Sequence, residues 1–120
     1  MKLRTVGLSL AGVSFALGLA ELAAAKRTAR WLGVPSASNW VRAFGVRELA
    51  AGAALVRKPT ASRNAFGRAA GDLIDLAALG VALNTQGAKR RPIAGAAAFV
   101  GAALIADTLA ALAMKRAEKR

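Results

Sequence analysis

Five of the six acidic residues in this sequence, Glu21, Glu48, Asp72, Asp75 and Asp107, stand inside runs of Ala, Leu, Val, Ile and Gly. Two guanidinium groups, Arg47 and Arg68, stand among them. Carboxylates in apolar surroundings can do three kinds of chemistry. They can form inward ion pairs and hydrogen bonds that fix helix register. They can line a proton or ion path, or a polar ligand cavity, and Glu48, Asp72, Asp75 and Asp107 are the candidates for that. As a close pair, Asp72 and Asp75 can share a proton for acid–base catalysis, although nothing in the sequence identifies a substrate. The chain has no Cys and no His. That removes disulfides, thiol nucleophiles, a Ser-His-Asp triad and the two commonest transition-metal ligands. The isolated glycines form neither a GxGxxG nor a P-loop. No catalytic, cofactor-binding or metal-binding residue is assigned, and an enzyme is not expected.

Spacing suggests how these groups meet. In "GRAAGDLIDLAALGVAL", residues 67–83, Arg68 and Asp72 are four apart and Asp72 and Asp75 three apart. On a helix all three share one face, which predicts an Arg68–Asp72 pair. Asp75 is left to find Arg47 on the preceding helix or to hold a proton. Gly67 and Gly71 form a GxxxG beside that face, where a neighbouring helix can come close. Arg47 and Glu48 are adjacent, about 100° apart on a helix, and are expected to meet different neighbours. Glu48 aligns with Gly52. Asp107 shares a stripe with Ala96, Ala103, Ala110 and Ala111, which predicts burial against another helix. Glu21, near the end of its segment, is expected to reach an interface. Met1 and Met114 carry no signal.

Four apolar segments must position these residues, at about 5–25, 41–56, 66–84 and 92–114, followed by a basic tail at 115–120. No alternating period supports strands, and Ala favours helix. A helix needs about 20 residues to cross the hydrocarbon of a membrane. The first and fourth segments reach that easily, the third does if its charges find partners, and the second is the weakest. Connections carry the loop signals Pro35, Pro59 and "NTQGAKRRP". A charge at mid-helix in a bilayer costs about 2.5–3.5 kcal/mol, so the polar faces must look inward.

Composition agrees. Of 120 residues 56% are hydrophobic but only 5% aromatic, and the mean hydropathy is +0.41. Small apolar residues suit close helix packing in a membrane better than a soluble core. The net charge is +12. The bases cluster between the apolar segments, at Lys2 and Arg4, at Lys26, Arg27 and Arg30, at Arg57, Lys58 and Arg63, at Lys89, Arg90 and Arg91, and at Lys115, Arg116, Lys119 and Arg120. This pattern points to anionic headgroups as partners, not nucleic acid, because no stacking aromatics are interleaved with the bases. Trp31 and Trp40 fit the headgroup level. With four spans, nine of these bases share the side of the two termini and six lie on the other, which places both termini in the cytoplasm. The opening segment also fits a signal peptide cleaved near Ala23–Ala25, and a released basic protein would follow from that.

At "RAFGVRELAAGAALV" the chain resembles small bacterial four-helix membrane proteins of the DoxX-like kind. It is also similar to the four-helix membrane segment that precedes cyclase/dehydrase-type domains, where an R-E followed by Gly and a G-D…D in the next helix recur. Here these are Arg47, Glu48 and Gly52, then Gly71, Asp72 and Asp75. The resemblance spans about residues 5–114. It implies a four-helix integral membrane protein of uncharacterised role and supplies no catalytic residues. These 120 residues hold no cyclase/dehydrase domain, so that activity is not carried over. The expectation is an all-α membrane four-helix bundle in the bacterial inner membrane. Arg47, Glu48, Arg68, Asp72, Asp75 and Asp107 form its buried polar network, and Gly52, Gly67 and Gly71 its packing positions. Its role is structural or accessory, with a membrane-protein partner or a second copy of the chain. The alternative is a small proton- or ion-coupled transporter or channel acting as an oligomer.

Overall fold

Long runs rich in Ala and Leu, with proline at only three positions, favour helix almost throughout. The computed structural model describes residues 2–120, and 86% of it is helical, with no strand among the described residues. Helix α1 spans Leu3–Ala23, α2 Ala25–Trp31, α3 Ser38–Arg57, α4 Ser62–Leu83 and α5 Arg90–Glu118. The prolines sit where a missing N–H costs little. Pro35 opens a 3-10 turn, Pro59 separates α3 from α4, and Pro92 lies in the first turn of α5.

The four long helices run alternately up and down, and contacts at the two ends fix this order. At one end Gly33 and Gly87 both take positive φ, 79° and 88°, a conformation glycine adopts without strain. Their backbones touch, and the Lys89 N–H donates to the Leu32 carbonyl at 2.9 Å. Leu32, Val34 and Ile93 are buried together there. At the opposite end Gly7 packs against the Pro59 backbone, and Glu118 accepts hydrogen bonds from Ser62. Within this frame α1 packs mainly on α3, and α4 mainly on α5.

The α1–α3 crossing rests on two glycines. A Cβ on Gly18 would lie 2.8 Å from the Gly45 carbonyl oxygen, and one on Gly45 would lie 2.9 Å from that of Gly18. Only bare backbone permits this approach. The α4–α5 pair closes over Ala65, Ala110, Ala111 and Met114, with Leu3, Val6 and Leu10 of α1 packed alongside. Met114 is fully buried, so a residue without a sequence signal fills the core.

Buried charge and exposed aliphatic side chains stand out together. Leu55, Met114, Asp107 and Ser14 are the largest fully buried side chains. Leu19, Val81, Ile105 and Leu109 are each more than half exposed, and Phe99 and Ile74 join them on the outer surface. Helices α1 and α5 are long and apolar enough to cross a membrane. Only 22% of each apolar stretch is buried, where the core helix of a soluble protein would be mostly covered.

The element boundaries depart from the sequence expectation in four places, the simplest being α4, which starts at Ser62 and not at about 66. The connection after the first segment contains α2, because "AKRTARW" has no Gly or Pro and buries Ala25 and Ala29 against Val41. The second segment is a 20-residue helix starting at Ser38, not a short one from 41, because Arg42 bonds back to Asn39 at 2.7 Å and holds the first turn. The tail at 115–120 is helical through Glu118.

Glu118 has a specific job there. The first N–H groups of α4 have no side-chain cap from Ala61. Glu118 supplies one from α5, accepting from the Ser62 hydroxyl and from the Ser62 N–H at 3.1 Å. The Ser62 hydroxyl, then its N–H, hold this carboxyl below the usual carboxylate range. A carboxyl depressed in the folded state adds stability above its unfolded pKa and loses it as pH falls through the folded one. The Tm difference between wild type and Glu118→Gln, measured in detergent, is therefore expected to be full at neutral pH and to shrink on acidification below the ordinary carboxylate range.

Candidate functional site

The inward face of α4 carries Ala65, Arg68, Ala69 and Asp72, all buried, at the spacing of one helical stripe. Arg68, 5% exposed, is the hub. Its Nε donates to Asp107 Oδ1 of α5 at 3.1 Å. Its Nη1 donates to the Leu10 carbonyl of α1 at 3.1 Å and lies 3.5 Å from Glu48 Oε2 of α3. Glu48 Oε2 also accepts from the Ser14 hydroxyl of α1 at 3.0 Å. One guanidinium thus joins all four long helices. Its planar fork suits it to this, since it presents several donors in different directions from a charge that stays on.

A second pair flanks the hub. Arg47 Nη2 of α3 reaches both oxygens of Asp75 on α4 at 2.9 Å, and lies 3.5 Å from Glu48 Oε1. The Arg47 guanidinium stacks over Phe44, 5.3 Å from the ring centre. It also lies against Gly71, where a Cβ would come 3.2 Å from Cζ. Gly71 makes room for an arginine, not for a helix backbone. Arg47 is half-buried, in contrast to Arg68. Truncating Asp75 to Ala is expected to cost about 1.5–3 kcal/mol, the range for a hydrogen bond to a charged group, because Arg47 keeps Phe44 and partial solvent access. Equilibrium unfolding in mixed micelles checks this, and Asp75→Asn, which keeps an acceptor, should cost less.

The expected Arg68–Asp72 pair does not form. A base placed four residues before an acid is the weaker orientation of such a pair, and acceptors on the facing helices compete for the Arg68 donors. Arg68 crosses to Asp107, Leu10 and Glu48 instead. The Asp72 carboxyl meets that of Asp107, also across the α4–α5 interface. Asp72 Oδ2 and Asp107 Oδ2 are both buried, and among the described residues neither has a hydrogen-bond donor. The GxxxG expectation is also corrected at its first position. Gly67 faces outward with nothing near it. Gly52 does pack, against the Ala11 carbonyl and Phe15. Arg47 and Glu48 have different principal partners, Asp75 for one and Ser14 with Arg68 for the other, although they remain in mutual reach. Asp107 is fully buried beside Ala110 and Ala111, while Ala96 and Ala103 are only partly covered.

Sequence reasoning missed Ser14, the Leu10 carbonyl and the Gly18–Gly45 crossing. A signal existed. Gly7, Ala11, Ser14 and Gly18 recur every three or four residues and are the buried positions of α1. Among the described residues no group of acids is placed to hold a metal ion. Two surface clefts lie away from the network, one at each end of the molecule.

These features define an all-α protein with many large apolar side chains on its outer surface and a charged network between its helices. Comparisons with protein families, with curated proteins and with solved structures return no match for the chain.

Proposed function

We propose that this chain is a four-span membrane protein of the bacterial inner membrane, with both termini cytoplasmic, that serves a non-enzymatic structural or accessory role. What supports it is a pairing of features: many large aliphatic side chains outside, and Arg68 with its carboxylates inside. In hydrocarbon, helices gain little from burying more apolar surface, and small-residue contacts and interhelical hydrogen bonds hold them together. The DoxX-like resemblance implies the same kind of protein. On this reading α1 is retained, since it contributes Ser14 and the Leu10 carbonyl to the network. The protein acts through a membrane-protein partner or a second copy of itself.

One observation favours a second reading, a small proton- or ion-coupled transporter. Glu48, Asp72, Asp75 and Asp107 outnumber the two guanidiniums, and two of their oxygens have no hydrogen-bond donor among the described residues. Purified protein in liposomes loaded with a pH-sensitive dye separates the two. The structural reading expects proton and cation flux no higher than in empty liposomes. A flux that disappears in Asp75→Asn, with the protein still folded, would establish transport instead.

A further inference from the structure

The break between α1 and α2 opens a cleft of about 420 Å³. Leu22 and Ala23 form its apolar side, and Lys26, Arg27, Arg30 and Arg42 its basic side. We propose that this cleft binds a phosphate group, presented by an anionic phospholipid whose acyl chains run along the apolar side. The site deepens the membrane reading above and rests on it for the source of the phosphate.

Four observations carry the assignment. First, the four bases are uncompensated. Among the described residues, ion pairs are made by Arg47 and Arg68 alone, and Arg42 has only the neutral Asn39 side chain. Second, the helix that carries three of the bases is anchored. Ala25 and Ala29 bury the underside of α2 against Val41 of α3, which fixes Lys26, Arg27 and Arg30 outward beside Arg42. Like charges three and four residues apart disfavour such a short helix unless an anion sits among them. Third, Trp31 and Trp40 are exposed at the same end, where amphipathic rings mark the headgroup level. Fourth, the placement of Arg42 at this end makes seven bases there, with Lys89, Arg90 and Arg91, against nine at the end of the termini. A side that topology should leave poor in bases keeps seven, and a phosphate ligand gives four of them a purpose.

The cleft at the other end is different. It is lined by Lys58, Arg63 and Glu118, so a carboxylate already occupies its basic surroundings. Arginine is the apt residue for the first cleft, because its fork matches two phosphate oxygens at once.

Thermal unfolding of the detergent-purified full chain, titrated with phosphatidylglycerol, phosphatidylcholine or inorganic phosphate, tests this. Phosphatidylglycerol is expected to raise the Tm and to saturate near one lipid per chain, with no response to phosphatidylcholine. Arg42→Gln and Arg30→Gln should each weaken that response at least about tenfold, the effect of losing a charge-assisted hydrogen bond. Lys115→Gln and Lys119→Gln, at the opposite end, should leave it unchanged. An equal response to inorganic phosphate would keep the phosphate site and remove the lipid as its source. Equal losses from substitutions at both ends, or no saturation, would mean diffuse charge attraction and overturn the site. No response to either phosphate would overturn it as well. Because this titration does not depend on membrane topology, its failure is distinguishable from failure of the four-span reading.

Discussion

Arg68→Leu is expected to be the most damaging single substitution, lowering stability by about 3–5 kcal/mol, the cost of breaking a buried ion pair by removing one partner. The reason lies in what it leaves behind. Asp107, 0% exposed, loses the Arg68 hydrogen bond to its Oδ1, while its Oδ2 already has no donor among the described residues. Glu48 keeps the Ser14 hydroxyl but loses the opposing charge, and the Leu10 carbonyl loses its link to α4. Titration from mild detergent into SDS, followed by the fluorescence of Trp31 and Trp40, reads the change. Adding Asp107→Leu to Arg68→Leu should recover part of the loss, since replacing both partners of a buried pair by apolar groups of similar size is far less costly than orphaning one. A double variant no better than the single one would mean that Arg68 acts through Leu10 and Glu48 alone.

Gly18→Leu and Gly45→Leu form the second large expectation. At each position a side chain must displace the carbonyl of the facing helix, and backbone cannot rotate away as a side chain can. The strain of overpacking is typically about 1–3 kcal/mol. Here the separation of α1 from α3 also stretches the Ser14–Glu48 hydrogen bond, one turn from Gly18. Both effects act together, so the loss should sit at the top of that range or above it. Gly67→Leu supplies the contrast. Nothing lies near its Cβ position, and its effect is expected within about 0.5 kcal/mol, as for surface sites away from special features. The same SDS titration compares all three. Equal losses at Gly18 and Gly67 would contradict the packing described.

The contrast between those glycines shows which parts of the molecule the sequence makes legible. Gly67 and Gly71 are spaced for close packing, but spacing does not reveal which way a face points. Gly71 gives its space to Arg47, and Gly67 faces outward. The all-helical class follows directly from Ala-rich runs without alternation. The meeting of Arg47 and Asp75 was foreseeable because Asp75 had no partner on its own helix. Arg68 lies on the buried face, as its spacing predicts, but spacing within one helix does not reveal the acceptors on facing helices that take its donors. Ser14 was invisible for another reason. A serine in an apolar run has no mark until the opposing helix presents a carboxylate, and Glu48 is 34 residues away. Helix α2 was hidden because its charges read as a connection, while its two alanines, which do the packing, carry no signal of their own.

Four membrane crossings, with the network at their centre, are tested most directly by labelling intact cells. The chain has no cysteine, so single cysteines at Ser36, Thr60, Gln86 and Lys119, all exposed, report on each connection and the tail without a background. A membrane-impermeant maleimide is expected to label positions 36 and 86 and to spare 60 and 119 until the cells are opened. Labelling at all four positions, or protection at 119 alone, would contradict the four-span arrangement. Arg68, Glu48 and Asp107 would then be a buried network outside the bilayer.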